Sequence, residues 1–218
     1  MKSHFKGILF DFDGTLADTM EGHFRAWKTV LSEYGISISE NDYFPLEGLG
    51  LREVAETVAK GSSLSESDLN EIVRKKKEYY VRSHRMEFYP GVESLVRLLK
   101  RKKIPMGIVT AGHLDQLKGS VPAAFLNQFD VLVTGEQFAR GKPHPEPYLK
   151  GAKELGLEPT ECIAVENAPI GVESAKQAGA YCIAVCTTVG PDHLSRADEI
   201  VEKMEELYER IRRLAGLS

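Results

Sequence analysis

Gly7-Ile8-Leu9-Phe10-Asp11-Phe12-Asp13-Gly14-Thr15-Leu16-Ala17-Asp18-Thr19 is the stretch on which the reading of the fold turns. Its apolar start, Ile8 to Phe10, has the pattern of a strand buried on both faces. The run stops at two aspartates one residue apart, followed by a glycine and a threonine. Side chains alternate along a strand, so Asp11 and Asp13 would share a face if the strand ran on. Gly14 predicts a bend instead, fanning both carboxylates out at the strand's carboxyl end, the edge where open α/β sheets keep their chemistry. Asp and Gly are also ordinary turn residues, and Asp-Gly alone would mean only a tight turn. Two carboxylates closing a strand this apolar point to a site.

Downstream of Thr19 the pattern is helical. Phe24, Trp27, Val30, Leu31 and Tyr34 recur at helix spacing, with Gly35 as a C-cap. A loop rich in Ser and Asn leads to Pro45-Leu46-Glu47-Gly48-Leu49-Gly50, and a second helix is expected over about 51–60. Ser65 with Asp68 three residues on reads as a capping box for a third, running toward Ser83. From Tyr89-Pro90-Gly91 onward strands and helices alternate. Strands are expected at Met106–Thr110, Val131–Thr134, Cys162–Val165, Tyr181–Cys186 and the short Glu199–Val201. Helices are expected at Val92–Arg101, near 114–128, 145–156 and 169–178, and over Met204–Leu214. Short apolar strands alternating with helices imply a parallel sheet covered on both faces. The fold class is therefore α/β, a doubly wound parallel-sheet core of residues 1–18 and 85–218. A helical insertion of residues 19–84 follows the first strand, with hinges near 16–20 and 84–90.

The chain's 218 residues suffice for one substantial core plus a small insertion. Its 42% apolar and 28% charged residues are ordinary for a soluble protein. A net charge of −4 supplies no broad basic field for nucleic acid. The run Arg74-Lys75-Lys76-Lys77 reads as a solvated helix face. No apolar stretch nears the roughly 20 residues of a membrane span, and the N-terminus lacks an apolar leader. Cys162, Cys182 and Cys186 have no CxxC spacing and read as buried thiols. The expectations are a cytoplasmic location, no nucleic acid or membrane partner, and a monomer.

If the strands are parallel, four stretches converge just past strand ends. They are Asp11/Asp13, Thr110-Ala111-Gly112, Lys142 in Gly141-Lys142-Pro143, and Glu166-Asn167. A carboxylate is ionised at neutral pH and can be a nucleophile without a base to activate it. If the substrate is an anionic phosphate, as the resemblance of these motifs to a known family implies, its repulsion calls for a cation, and Mg²⁺ takes oxygen ligands from one or two carboxylates, substrate and water. Asp11, the carbonyl of Asp13, and Glu166 or Asn167 would supply them. Lys142 adds positive charge near the transferring group, and Thr110 with nearby backbone N–H groups can bond phosphoryl oxygens. Asp13 would be the general acid and base, its pKa raised by Asp11 and by partial burial. A lysine in a loop, taken alone, is usually just solvated; its Gly-Lys-Pro context and its place after a strand give Lys142 weight.

DFDGTLADT resembles the first motif of the haloacid dehalogenase superfamily, in its phosphatase and phosphomutase branch. Ile108–Thr110, the Lys-Pro loop at Lys142 and the acidic loop at Glu166 resemble its later motifs, in order and over nearly the whole core. The resemblance implies an α/β core with a short helical cap after the first strand. It also implies Mg²⁺-dependent hydrolysis of a small phosphorylated metabolite through an aspartyl-phosphate on Asp11. The acidic loop departs from the usual Glu-Asp-Ser by reading Glu166-Asn167-Ala168-Pro169. Asn can ligate Mg²⁺ through its amide oxygen but brings no charge.

The cap, which would set the substrate, resembles two branches. His23-Phe24-Arg25-Ala26-Trp27-Lys28 is similar to the first cap helix of β-phosphoglucomutases, with His23 near the leaving group and Arg52 and Lys76 placed to hold a second phosphate. Glu47-Gly48 with the Glu-Asn-Ala-Pro loop is similar to an inorganic pyrophosphatase branch in which a cap glutamate reaches the metal. Taken alone, Trp27 is a core residue, Arg52 and Lys76 are solvated, and Glu47 lies on a solvated loop. A phosphomutase and a pyrophosphatase thus stand beside the phosphohydrolase. A metal-free dehalogenase would not need Asp13 or this Lys-Pro loop, and a phospho-accepting signalling domain would not need a cap.

Overall fold

A computed structural model describes residues 5–83 and 85–216. The positions where the expected ranges begin, meet and end (1, 84 and 218) lie outside them. Six parallel strands run β1 (Gly7–Phe10), β2 (Met106–Val109), β3 (Val131–Val133), β4 (Cys162–Glu166), β5 (Tyr181–Val185) and β6 (Glu199–Val201). They lie in the order β3-β2-β1-β4-β5-β6, which reverses direction at β1 and β4. In such a sheet the crevice at the reversal, beyond the strands' carboxyl ends, is where ligands bind. Both edges of that crevice belong to residues singled out from the sequence.

Strand alternation sorts the core into two faces. Ile8, Phe10, Ile108, Ile163, Val165, Ile183 and Val185 point to one side, against α5 (Val92–Arg101), α6 (Leu114–Ser120), α7 (Ala123–Leu126) and α10 (Met204–Leu214). Leu9, Val109, Cys162, Ala164, Cys182 and Ala184 point to the other, against α8 (Glu146–Glu154) and α9 (Pro169–Ala178). The small side chains of the second face let α8 and α9 lie close to the sheet, which brings their N-terminal ends to the crevice. The three cysteines are free thiols, with Cys162 and Cys182 buried in this face.

Between β1 and α5 the chain is helical: α1 (Met20–Ser32), α2 (Glu40–Tyr43), α3 (Leu51–Val58) and α4 (Glu66–Ser83). These helices have a hydrophobic cluster of their own, centred on Trp27, Leu31, Val54, Ala55 and Ile72. Ala17 pairs with Phe88 in an antiparallel bridge, and Asp18 N–H donates to Glu87 C=O at 2.8 Å. The outgoing and returning segments therefore lie side by side.

Two element readings differ. The loop expected before Pro45 contains α2, because Ser39 and Asp42 form a capping box. The single helix expected near 114–128 is two, because Pro122 has no N–H to continue the ladder and Val121 before it is extended. Among the described residues no helix is long and apolar enough to cross a membrane.

Candidate active site

The bend after β1 is built as Gly14 predicts. Gly14 takes φ +78°, a conformation L side chains rarely adopt, and Phe12 C=O accepts from the N–H groups of Leu16 (2.9 Å) and Ala17 (3.1 Å). Asp11 stays at the strand end, with its N–H on Val165 C=O at 3.0 Å, and Asp13 is turned toward the helical unit. Each carboxylate then meets its own partners.

Asp11 meets Lys142. The lysine is buried, and its Nζ donates to Asp11 Oδ1 at 2.6 Å, Glu166 Oε1 at 2.7 Å and Val109 C=O at 3.1 Å. An ammonium has three hydrogens, so all are used. Lys142 therefore acts as a fixed charge that holds two loops together. Burial alone would lower its pKa, but the two carboxylates overrule it and push it above the usual lysine range. Burial pushes Asp11 up to about 8, against the pull of Lys142 and with added repulsion from Glu166 and Asp13.

Asp13 meets the helical unit. Thr19 Oγ1 donates to its Oδ1 at 2.8 Å, and His23 Nε2 lies 3.2 Å from the same oxygen. His23 Nδ1 is 2.7 Å from Lys76 Nζ. A protonated lysine can only donate, so Nδ1 accepts and Nε2 carries the N–H that faces Asp13. His23 is stacked on Tyr80 with ring centroids 4.0 Å apart, and Lys76 Nζ lies 5.5 Å from the Trp27 ring.

This arrangement reverses the expected pKa of Asp13. Burial does act to raise it, but His23 beside it wins, with Thr19 and Lys76 helping, and the carboxyl is held at about 2. Lys76 itself is buried, not solvated as its basic run suggested, and burial pulls it down to about 8. Arg74 and Lys75 do face solvent, paired with Glu71, Glu78 and Glu33.

Glu47 also departs from the solvated reading. Its Oε1 is shut off from solvent and has no hydrogen-bond partner among the described residues. Burial pushes the carboxyl up to about 8, past the opposing charge of Lys76 and with repulsion from Asp13 and Asp11 added. Arg52 is the one expected site residue left outside. Its guanidinium is held by Glu56, Glu66 and Asn70, and it lines a neighbouring groove instead.

Asp11, Asp13, His23, Glu47, Lys76, Thr110, Ala111, Gly112, Glu166 and Asn167 enclose a cavity of about 60 Å³. Thr110 is buried and its Oγ1 accepts from Gly112 N–H at 3.0 Å, which shapes the loop after β2. Asn167 is gripped at both ends: Oδ1 accepts from Thr15 Oγ1 at 3.1 Å, and Nδ2 donates to Thr188 Oγ1 at 2.7 Å. Sequence reading missed Thr15, Thr19, Tyr148 and Thr188. The strand-end rule that found Thr110 would have found Thr188, just past β5. Tyr148 lies on the sheet side of α8, six residues after Lys142, and no motif marks it.

The donor set fits a hard divalent cation. Four carboxylates (Asp11, Asp13, Glu47, Glu166) share the site with two lysines, and one buried carboxylate oxygen is left without a partner. All the donors are oxygens, the ligands that Mg²⁺ prefers. Among the described residues no three His, Cys, Asp or Glu side chains already cluster as a metal cage, so a backbone carbonyl, the Asn167 amide and ligand oxygens would have to complete the shell.

The chain is similar in sequence and fold to known proteins. The family model for haloacid dehalogenase-like hydrolases matches residues 8–185. Hexitol phosphatase A of Escherichia coli (strain K12) is 34% identical over 203 residues, 93% of each chain. The β-phosphoglucomutase of Bacillus subtilis (strain 168) is 27% identical over 220 residues, covering 95% of this chain and 97% of that one. Among solved structures, a β-phosphoglucomutase from Clostridium difficile superposes with a TM-score of 0.83 at 26% identity, covering 97% of both chains.

Proposed function

The chain belongs to the haloacid dehalogenase-like hydrolases, among its phosphatases and phosphomutases; from that premise we propose that it is an Mg²⁺-dependent phosphohydrolase of small phosphorylated metabolites, working through an aspartyl-phosphate on Asp11. One observation carries the reading: Asp11 fixed by Lys142 and Asp13 fixed by His23 line one small cavity. In this reading residues 19–84 are a cap on a core of residues 1–18 and 85–218.

Asp11, which Lys142 and a bound cation would keep ionised, attacks phosphorus as the bond from phosphorus to the leaving oxygen breaks, and Asp13 gives that oxygen a proton. Water then attacks the aspartyl-phosphate, Asp13 takes its proton, and the bond from phosphorus to Asp11 breaks. Asp13 is ionised in the free site. An anionic phosphoryl group bound beside it makes that charge costlier, which is how Asp13 gains a proton to give. His23, with Lys76 behind it, holds the carboxylate in place. Thr110 and the backbone of Ala111 and Gly112 are placed to bond phosphoryl oxygens. Mg²⁺, held by Asp11, the Asp13 carbonyl, Asn167 and Glu166, would neutralise the phosphoryl oxygens as charge shifts between them. The mutase alternative uses the same groups and differs in whether water reaches the aspartyl-phosphate.

A second reading, inorganic pyrophosphatase, is favoured by the unpartnered Oε1 of Glu47 and by the small cavity. A cap carboxylate completing the cation's shell would suit a small, highly charged substrate. Phosphate release over hexitol and sugar phosphates, phosphoglycolate, nucleotides and pyrophosphate, with Mg²⁺ and with EDTA, tests the reading. β-Glucose 1-phosphate followed to glucose 6-phosphate or to free phosphate separates mutase from hydrolase. Full turnover by verified metal-free protein would sink the Mg²⁺ assignment.

A further inference from the structure

Tyr148 is fully buried on α8, and its hydroxyl donates to Glu166 Oε1 at 2.6 Å. Lys142 Nζ donates to the same oxygen at 2.7 Å and lies 5.4 Å from the Tyr148 ring centroid. A carboxylate oxygen offers about two acceptor sites, so Oε1 is filled. Among the described residues Oε2 has only the long bond from Asn167 N–H, at 3.3 Å. Gly171, in the first turn of α9, closes another side of the carboxylate. A Cβ built on Gly171 would lie 2.2 Å from each Glu166 oxygen and 2.1 Å from its Cδ, so only glycine leaves room for the group where it stands.

We propose that Tyr148 is a positioning residue for the reaction: with Lys142 it fills Glu166 Oε1, against the stop provided by Gly171, and so presents Oε2 as the one oxygen of Glu166 open to a cation or a water. The inference rests on the site being an Mg²⁺-dependent phosphoryl-transfer centre. A purely structural phenol would also need a hydrogen-bond partner when buried. What separates the roles is the acceptor, which already holds the lysine that fixes Asp11. Without the phenol, Oε1 regains an open site and the carboxylate is free to turn, and the cation then meets two alternative oxygens in place of one.

Tyr148→Phe keeps the ring and its contact with Lys142 and removes only the hydroxyl. Two quantities are measured in wild type and variant: the melting temperature against Mg²⁺ concentration without substrate, and kcat and KM for p-nitrophenyl phosphate. The Mg²⁺ concentration giving half of the melting shift rises about tenfold in Tyr148→Phe, and kcat falls by a similar factor, the size seen when a partner of a metal ligand is removed. KM changes by less than roughly twofold, because the hydroxyl does not touch substrate. A variant with a lower metal-free melting temperature but the wild-type Mg²⁺ midpoint and kcat overturns the inference and leaves the functional reading standing. A wild-type protein whose melting ignores Mg²⁺ overturns both. If Tyr148→Phe does not fold, Gly171→Ala pushes the same carboxylate from its other side; a raised Mg²⁺ midpoint there supports the inference, and an unchanged one overturns it.

Discussion

Asp11 and Asp13 are one residue apart and meet different charges: Lys142 from the sheet side, His23 and Lys76 from the helical unit. The first carboxyl is pushed up to about 8 by burial and the second held at about 2 in spite of it. Asp11→Asn removes the nucleophile with little change of volume, and Lys142 keeps Glu166 and Val109 as partners. Turnover is expected to vanish while the melting temperature changes little; substantial activity with Mg²⁺ present would contradict the covalent route. His23→Asn removes the N–H donor that depresses Asp13 and leaves the burial that raises it. The Asp13 pKa then climbs, and the basic limb of the kcat/KM profile, where Asp13 loses the proton it must give, moves to higher pH. A basic limb that stays put would mean that it does not report Asp13.

At the scale of elements, strand ends and helix starts were legible because each has a local cause. Ile8–Phe10 is apolar without a break, Ser65 and Asp68 cap α4 with three mutual hydrogen bonds, and Pro169 opens α9. What stayed hidden was the direction of single side chains. Arg74 to Lys77 looked uniform, yet Leu69, Ile72, Lys76 and Tyr80 are spaced three, four and four residues apart and form the buried stripe of α4. That spacing was available in the sequence, but the charge of Lys76 outweighed its position in the reading. Glu47 gave no such periodic clue, since its burial depends on the helical unit lying over the crevice. Trp27, wholly buried at the centre of the helical cluster, tests how far that unit stands apart. Trp27→Ala is expected to cost about 3–5 kcal/mol. Hydrogen exchange should speed up in α1, α3 and α4 while the β1, β2 and β4 amides keep their protection; equal loss in both would make the chain one cooperative unit.

For the whole molecule, the polar groups of the site are divided between two stretches of chain. Asp11, Lys142, Glu166 and Asn167 lie at strand ends or in loops of the sheet unit, and His23, Glu47 and Lys76 lie in the helical unit. Glu47→Gln, assayed on pyrophosphate and on the best organic phosphate, separates the two substrate readings. A cap ligand predicts a higher Mg²⁺ requirement and a sharp loss on pyrophosphate; unchanged titrations and rates would remove Glu47 from the metal's shell. The paired segments at Ala17 and Phe88 add a kinetic consequence. The helices are tethered to the sheet by neighbouring residues, so any rotation between the two bodies turns about that one place and sweeps its far end through the widest arc. A rotation that admits substrate or releases product would displace water along that arc. On a good substrate kcat should therefore fall as sucrose thickens the medium, and on a poor one, whose bond breaking is slow, it should not respond to viscosity at all.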